Sequence, residues 1–172
     1  MNKIYLVGLP GAGKSHSGRM IAQELGWDFY DLDYMLELEM QKSVGSIFED
    51  HGEEIFRKLE KETLQKTASL KNAVISCGGG TACFEGNMDW MQKQGLTIFL
   101  NPPIETIIPR ILKNKNKRPL FKGLKEGQLR HKLNEFAVKR GEFYSKARFI
   151  WNKEEPNAKM YSAVNQLLKI YS

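Results

Sequence analysis

The octapeptide Gly8-Leu9-Pro10-Gly11-Ala12-Gly13-Lys14-Ser15 has the spacing glycine, four residues, then Gly-Lys-Ser. That spacing is suited to holding a polyphosphate. Glycines let the backbone turn tightly enough for successive N–H groups to converge on phosphate oxygens, so the anion is gripped mainly by main chain. Lys14 supplies a positive charge for the β- and γ-phosphates, and the Ser15 hydroxyl completes the coordination of Mg²⁺. The loop follows the apolar run Ile4-Tyr5-Leu6-Val7 and precedes a helical pattern, whose N-terminal end adds partial positive charge. A simple glycine-rich turn with an exposed lysine is the bland alternative, and the strand-loop-helix setting argues against it.

A bound polyphosphate raises the question of an acceptor. After the second strand candidate come Asp31-Leu32-Asp33, two carboxylates at alternate positions, which project to the same side of an extended chain. Asp31 is expected to serve Mg²⁺ through water, and Asp33 the acceptor hydroxyl as hydrogen-bond acceptor and candidate base. The competing role is a helix cap, since a helix is expected to start near Tyr34. Gly78-Gly79-Gly80 follow the third strand candidate. A segment without side chains lets a small substrate lie against the backbone, although a flexible strand-to-helix turn has the same composition.

Three arginines extend the constellation. Arg57 lies near the buried face of a long helix, between Phe56 and Leu59, and needs an anion there. Either Glu53 or Glu60 of the same helix supplies it, or a ligand carboxylate does, through the planar fork that arginine offers. Arg140, four residues before Tyr144, carries the same two readings. Arg118 precedes Pro119 in a basic polar loop, which is either a lid that brings charge to the phosphates on closure or a solvated surface.

Elements that could position these groups alternate along the chain, the pattern of a parallel sheet with helices on both faces. Strands are expected at 4–7, 28–30, 73–76, 97–100 and 148–151. Helices are expected at 14–25, 34–39, 53–70, 85–94, 104–112 and 126–144. A last helix is marked by Met160, Val164, Leu167, Leu168 and Tyr171 at helical spacing, an apolar stripe for core packing. The expected architecture is a three-layer α/β/α sandwich around a five-stranded parallel sheet, of the P-loop NTPase type.

The 172 residues suffice for one domain with a sizeable core. The net charge of +6 favours an anionic partner, and much of the excess falls between Lys113 and Lys125. Cys77 and Cys83 have no nearby histidine pair to suggest zinc and read as free thiols of a reducing cytosol. No apolar run reaches the roughly 18 residues of a membrane span, and the N-terminus shows no signal-peptide pattern. A cytoplasmic, monomeric protein without membrane or nucleic-acid partners is expected.

In order, the phosphate loop, Asp31-x-Asp33, Ile47-Phe48, Gly52-Glu53-x-x-Phe56-Arg57-x-x-Glu60, the triple glycine, Arg118-Pro119-Leu120 and Arg140-x-x-x-Tyr144 resemble the shikimate kinase family. The resemblance runs from Met1 to about Ala147, and its middle motifs are far more specific than the phosphate loop. It implies a nucleoside-monophosphate-kinase-like fold with a substrate-binding region about 33–61 and a mobile lid about 112–124. It also implies transfer of the ATP γ-phosphoryl group to the 3-hydroxyl of shikimate. Under this resemblance Gly11, Ala12, Gly13, Lys14, Ser15 and His16 contact the nucleotide, Arg110 lies against adenine, and Arg118 closes onto the phosphates. Lys14, Asp33 and Arg118 form the catalytic set. Asp33, Gly78, Gly79, Gly80, Arg57 and Arg140 hold the acceptor, the arginines at its carboxylate. Ser15 and Asp31 serve Mg²⁺.

The chain departs from the family pattern after the fifth strand, where Ile150-Trp151-Asn152-Lys153-Glu154-Glu155-Pro156 replaces the usual Asp or Asn followed by Thr or Ser. Two alternatives accompany the resemblance. One is another small-molecule kinase of the same fold, such as a gluconate kinase. The other is a nucleic-acid-binding NTPase that uses the Lys113–Lys125 segment, against which stands the sparse aromatic content of that segment, Phe121 alone.

Overall fold

The computed structural model describes residues 1–114, 119–153 and 155–171. Its centre is a five-stranded sheet in the order β2-β3-β1-β4-β5, with every neighbouring pair parallel. The strands are β1 (Lys3–Val7), β2 (Asp28–Asp31), β3 (Ala73–Ser76), β4 (Leu96–Leu100) and β5 (Phe149–Trp151). Every residue of β1, β3 and β4 is buried, because helices cover both faces and leave no polar side for alternation to mark. The edge strands β2 and β5 are only partly buried.

The helices are α1 (Lys14–Leu25), α2 (Leu32–Met40), α3 (Val44–Lys66), α4 (Asn87–Gln94), α5 (Ile104–Lys113), α6 (Glu126–Tyr144) and α7 (Ala158–Ile170). Met160, Val164 and Leu168 of α7 face the core, each burial stabilising by roughly 1.5–3 kcal/mol. Tyr171, the last residue of the expected stripe, lies beyond the helix and is exposed, with its ring under Arg148.

Among the element boundaries that differ from expectation, two concern the site. A helix begins directly after Asp31, so Asp33 sits in its first turn rather than on an extended strand. Asp31 and Asp33 therefore do not share a face by strand alternation. The second difference is α3, which starts at Val44 rather than Glu53. It is broken at Gly52, whose φ of 76° and ψ of 173° are not helical. A left-handed φ of this kind suits glycine, so the residue that reads as a helix start is a kink between two helical halves.

Both halves of α3 pack with α2 over a small core of their own, formed by Leu36, Ile47 and Phe56. Met40, Val44, Phe48 and Leu59 close around it, and the Phe48 and Phe56 rings lie 5.5 Å apart. This cluster is separate from the main core under the sheet. α2 and the part of α3 up to Leu59 thus form a distinct shoulder at the carboxyl end of β2.

The strand order reverses direction around β1, which has β3 on one side and β4 on the other. Open parallel sheets bind ligands at the carboxyl ends of the strands beside such a reversal. The phosphate loop, Asp31, Ser76 and Gly78–Gly80 all follow strands at that end.

Candidate active site

The phosphate end is organised by the register of three strands. Asp31 pairs with Ser76 across β2 and β3, and Ser76 pairs with Leu6 of β1, one residue before the strand ends. This brings Ser15, at the start of α1, against both. Its hydroxyl donates to Asp31 Oδ2 at 2.6 Å and lies 3.2 Å from Ser76 Oγ. Asp31 Oδ1 also accepts from the N–H groups of Asp33 at 3.1 Å and Tyr34 at 3.4 Å, which makes it the cap of α2. The cap anticipated for Asp33 therefore belongs to Asp31, leaving the Asp33 carboxylate for other work.

The Lys14 ammonium is buried and donates to the carbonyls of Gly8 and Leu9, each at 2.9 Å. Gly11 and Gly13 of the loop have φ of 82° and 91°, the turns that let the loop wrap. Arg110 reaches the same loop from α5, so that a Cβ on Gly13 would stand 3.2 Å from its Nη1. Glu155 ties this side together. One of its oxygens is 2.9 Å from His16 Nε2 and the other 3.6 Å from Arg110 Nη2. Arg118 lies outside the described residues, as does the part of the 112–124 segment from 115 to 118.

Between the phosphate loop and the acceptor side stands Asp33. Burial pushes its carboxyl up to about 7, and the neighbouring carboxylates of Glu60 and Asp31 push the same way against the pull of Lys14. Glu60 is itself buried. Its Oε2 accepts from Arg57 Nη1 at 2.7 Å and its Oε1 from the Thr81 hydroxyl at 2.5 Å. The more exposed Glu53 carboxylate lies 3.8 Å from Arg57 Nε. Both glutamates considered as partners of Arg57 are thus present, and the buried one makes the close bond.

Arg57 and Arg140 line one cavity of about 450 Å³ together with Glu53, Gly80, Cys83 and Phe84. Arg140 stands over the Phe136 ring at 3.8 Å, within cation–π range. The triple glycine forms the wall that this cavity shares with the phosphate loop. A Cβ on Gly78 would lie 2.6 Å from Glu60 Oε1 and 3.1 Å from Asp33 Oδ1. On Gly79 it would meet Pro10 at 2.9 Å and Arg140 Nη1 at 3.1 Å, and on Gly80 it would overlap Arg57 Cζ at 2.5 Å. A side chain at any of the three positions would displace one of these groups.

The sequence and the fold of the chain match a specific set of relatives. The shikimate kinase family model matches residues 10–170. The chain belongs to the shikimate kinase family. A shikimate kinase of Bacteroides fragilis is 37% identical over 172 residues, covering 99% of this chain and 96% of its own length. The crystal structure of a shikimate kinase from Bacteroides thetaiotaomicron superposes with a TM-score of 0.88 at 35% identity, over 99% of this chain and 98% of that one. A shikimate kinase from Acinetobacter baumannii in complex with shikimate has a TM-score of 0.83 at 29% identity, over 99% and 93%. The expected P-loop architecture and the kinase class both stand, and the gluconate kinase and nucleic-acid alternatives give way to the shikimate kinase family.

Within this family framework, the structure gathers Lys14, Ser15 and Asp31 at one end of the cleft, Asp33 in the middle, and Gly78, Gly79, Gly80, Arg57 and Arg140 at the other. Ser76, Thr81 and Tyr144 belong to the same constellation and carry no role in the sequence reading. Ser76 shows itself only as a polar residue closing an apolar strand, and Thr81 as the first residue after the glycines. Their partners are distant in sequence, so spacing offers no signal for them.

Proposed function

We propose that this chain transfers the γ-phosphoryl group of ATP to the 3-hydroxyl of shikimate, giving shikimate 3-phosphate and ADP. The supporting observation is the placement of Gly78–Gly80, which joins the phosphate loop through Pro10 to the arginine-lined cavity through Arg57 and Arg140. An acceptor held at its carboxylate by that pair presents a hydroxyl toward the phosphate loop, with Asp33 beside it.

The N–H groups of Gly11, Ala12 and Gly13 cradle the phosphates, and Lys14 turns from the Gly8 and Leu9 carbonyls to the transferring group. His16 and Arg110 flank the nucleotide, Arg110 against adenine, and Arg118 brings further charge from the 112–124 lid. Arg57 and Arg140 fix the acceptor carboxylate, and the Gly79 and Gly80 N–H groups meet its ring substituents. Asp33 accepts a hydrogen bond from the hydroxyl and turns its lone pair toward phosphorus. Catalysis is then positioning and charge stabilisation.

Ser15 Oγ, Asp31 Oδ2 and Ser76 Oγ form an all-oxygen group, the donor type Mg²⁺ prefers when it keeps its waters and shares phosphate oxygens. Ser15 would hold the ion directly and Asp31 through water. Bound there, Mg²⁺ neutralises charge on the β- and γ-phosphate oxygens. The reading places a single kinase domain in the cytoplasm as a monomer. Among the described residues no helix is long and apolar enough to cross a membrane.

The test is ADP release with shikimate, gluconate or adenosine monophosphate as acceptor. Turnover with shikimate alone supports the assignment, and turnover with either of the others in its place refutes it.

A further inference from the structure

Tyr144 closes α6 one turn beyond Arg140 and is 1% exposed. Its ring packs on Phe99 of β4 with centroids 5.0 Å apart, which is ordinary core behaviour. Its hydroxyl is not ordinary. It donates to the carbonyl oxygen of Gly79, 65 residues away, while the positive charge of Arg140 acts on it from the preceding turn of the helix. One oxygen at the end of α6 thus bonds the glycine segment that follows β3.

The bond to Gly79 has a directional consequence. The Gly79 carbonyl and the Gly80 N–H belong to one planar trans peptide and point opposite ways, so fixing the first fixes the second. Arg140, one turn before Tyr144, stands over the Phe136 face at 3.8 Å. Burial pushes the Tyr144 hydroxyl well above its ordinary range, so it stays a protonated donor throughout the working pH range.

We propose that Tyr144 is a positioning residue for the acceptor: its hydroxyl sets the peptide between Gly79 and Gly80 in the orientation that presents the Gly80 N–H to the acceptor beside Arg140. The proposal rests on the acceptor assignment above and adds to it a group that never touches the acceptor. Without the hydroxyl the ring still fills its place on Phe99, but the Gly79 carbonyl loses its partner and the peptide is free to rotate.

Tyr144→Phe tests this, because it removes one oxygen and keeps the ring. The expected result is a shikimate KM raised about five- to tenfold, the size of effect a single buried hydrogen bond has. ATP KM and kcat at saturating shikimate are expected within about twofold of wild type. A shikimate KM unchanged within that margin, or one that rises in step with ATP KM, overturns the proposal. Phe99→Leu thins the packing under the same ring and leaves the hydroxyl, so it remains informative should Tyr144→Phe be recovered unfolded. A lowered Tm with shikimate KM near wild type is expected, and a rise of about fivefold or more assigns the effect to packing and overturns the proposal. Wild-type enzyme is the control: no shikimate turnover there refutes the acceptor assignment itself. Normal wild-type turnover with an unmoved KM in Tyr144→Phe refutes the role of Tyr144 alone.

Discussion

Arg57 and Glu60 sit one turn apart on α3 and close a buried ion pair, Nη1 to Oε2 at 2.7 Å, with Glu60 held from its other oxygen by Thr81. Glu60 is 2% exposed and Arg57 16%, so the pair is largely shielded from solvent and the arginine keeps one edge open to the cavity. The arrangement aims a guanidinium and fixes its direction before any ligand arrives. Burying two charges this way costs desolvation that their attraction roughly offsets, so its use is geometric rather than stabilising.

Removing one partner is therefore expected to do two things. Arg57→Ala strands the Glu60 carboxylate and lowers stability by about 3–5 kcal/mol, read as a fall in Tm. It also raises shikimate KM by at least about tenfold while ATP KM changes by less than about twofold. Equal losses for both substrates in steady-state kinetics contradict the assignment of Arg57 to the acceptor.

Lys14 makes two bonds to its own loop, at 2.9 Å to Gly8 and Leu9. Lys14→Ala is expected to reduce kcat by about a thousandfold or more, since the charge that meets the transferring phosphoryl group is gone. Single-turnover measurement with saturating substrates checks this. Turnover within about tenfold of wild type removes Lys14 from the chemistry.

The raised carboxyl of Asp33 predicts a pH profile with a definite sign. With its folded value near 7 and its ordinary value of 3.8, the folded protein binds the extra proton between those limits. Below about pH 4 the residue is neutral in both states and costs nothing; the penalty of its buried charge grows on the way up and is complete above about pH 7. Asp33→Asn should therefore raise Tm at pH 8 and leave it unchanged near pH 4. In wild type, kcat/KM for shikimate should fall as pH drops through about 7, as the hydroxyl acceptor becomes protonated. A Tm gain of equal size at both pH values contradicts this account of Asp33.

Asp31 combines a structural and a proposed ionic role, accepting from Ser15 and capping α2 through Asp33 and Tyr34. Asp31→Asn keeps one cap acceptor and loses the charge, and is expected to require about tenfold more Mg²⁺ for half-maximal turnover, with Tm lowered by no more than the equivalent of about 1 kcal/mol. Titration of activity with Mg²⁺ at fixed ATP checks it. An unmoved Mg²⁺ midpoint leaves Asp31 as a cap only.

The phosphate loop was legible because its function is local: glycines, a lysine and a serine act through the turn they themselves form. The central sheet was legible for a related reason, since β1, β3 and β4 are buried on both faces and read as mostly apolar runs. Asp33 was misplaced because nothing in Asp31-Leu32-Asp33 marks where strand gives way to helix, and Asp31 takes the cap. Gly52 misled in the same way, a kink inside α3 having the composition of a boundary. The bonds that set the acceptor side join residues 21 and 65 apart in sequence, Thr81 to Glu60 and Tyr144 to Gly79. Such contacts leave no periodic trace and become visible only when the chain is folded.

In the proposed reaction the glycine wall sets the two guanidinium groups and the phosphate loop around one reaction line. A crystal structure of the enzyme with ADP, Mg²⁺ and shikimate tests it most directly. The account predicts the shikimate carboxylate between Arg57 and Arg140, with the 3-hydroxyl beside Asp33 and facing the β-phosphate. Shikimate bound with its carboxylate away from both arginines, or in a separate cavity from the nucleotide, contradicts it.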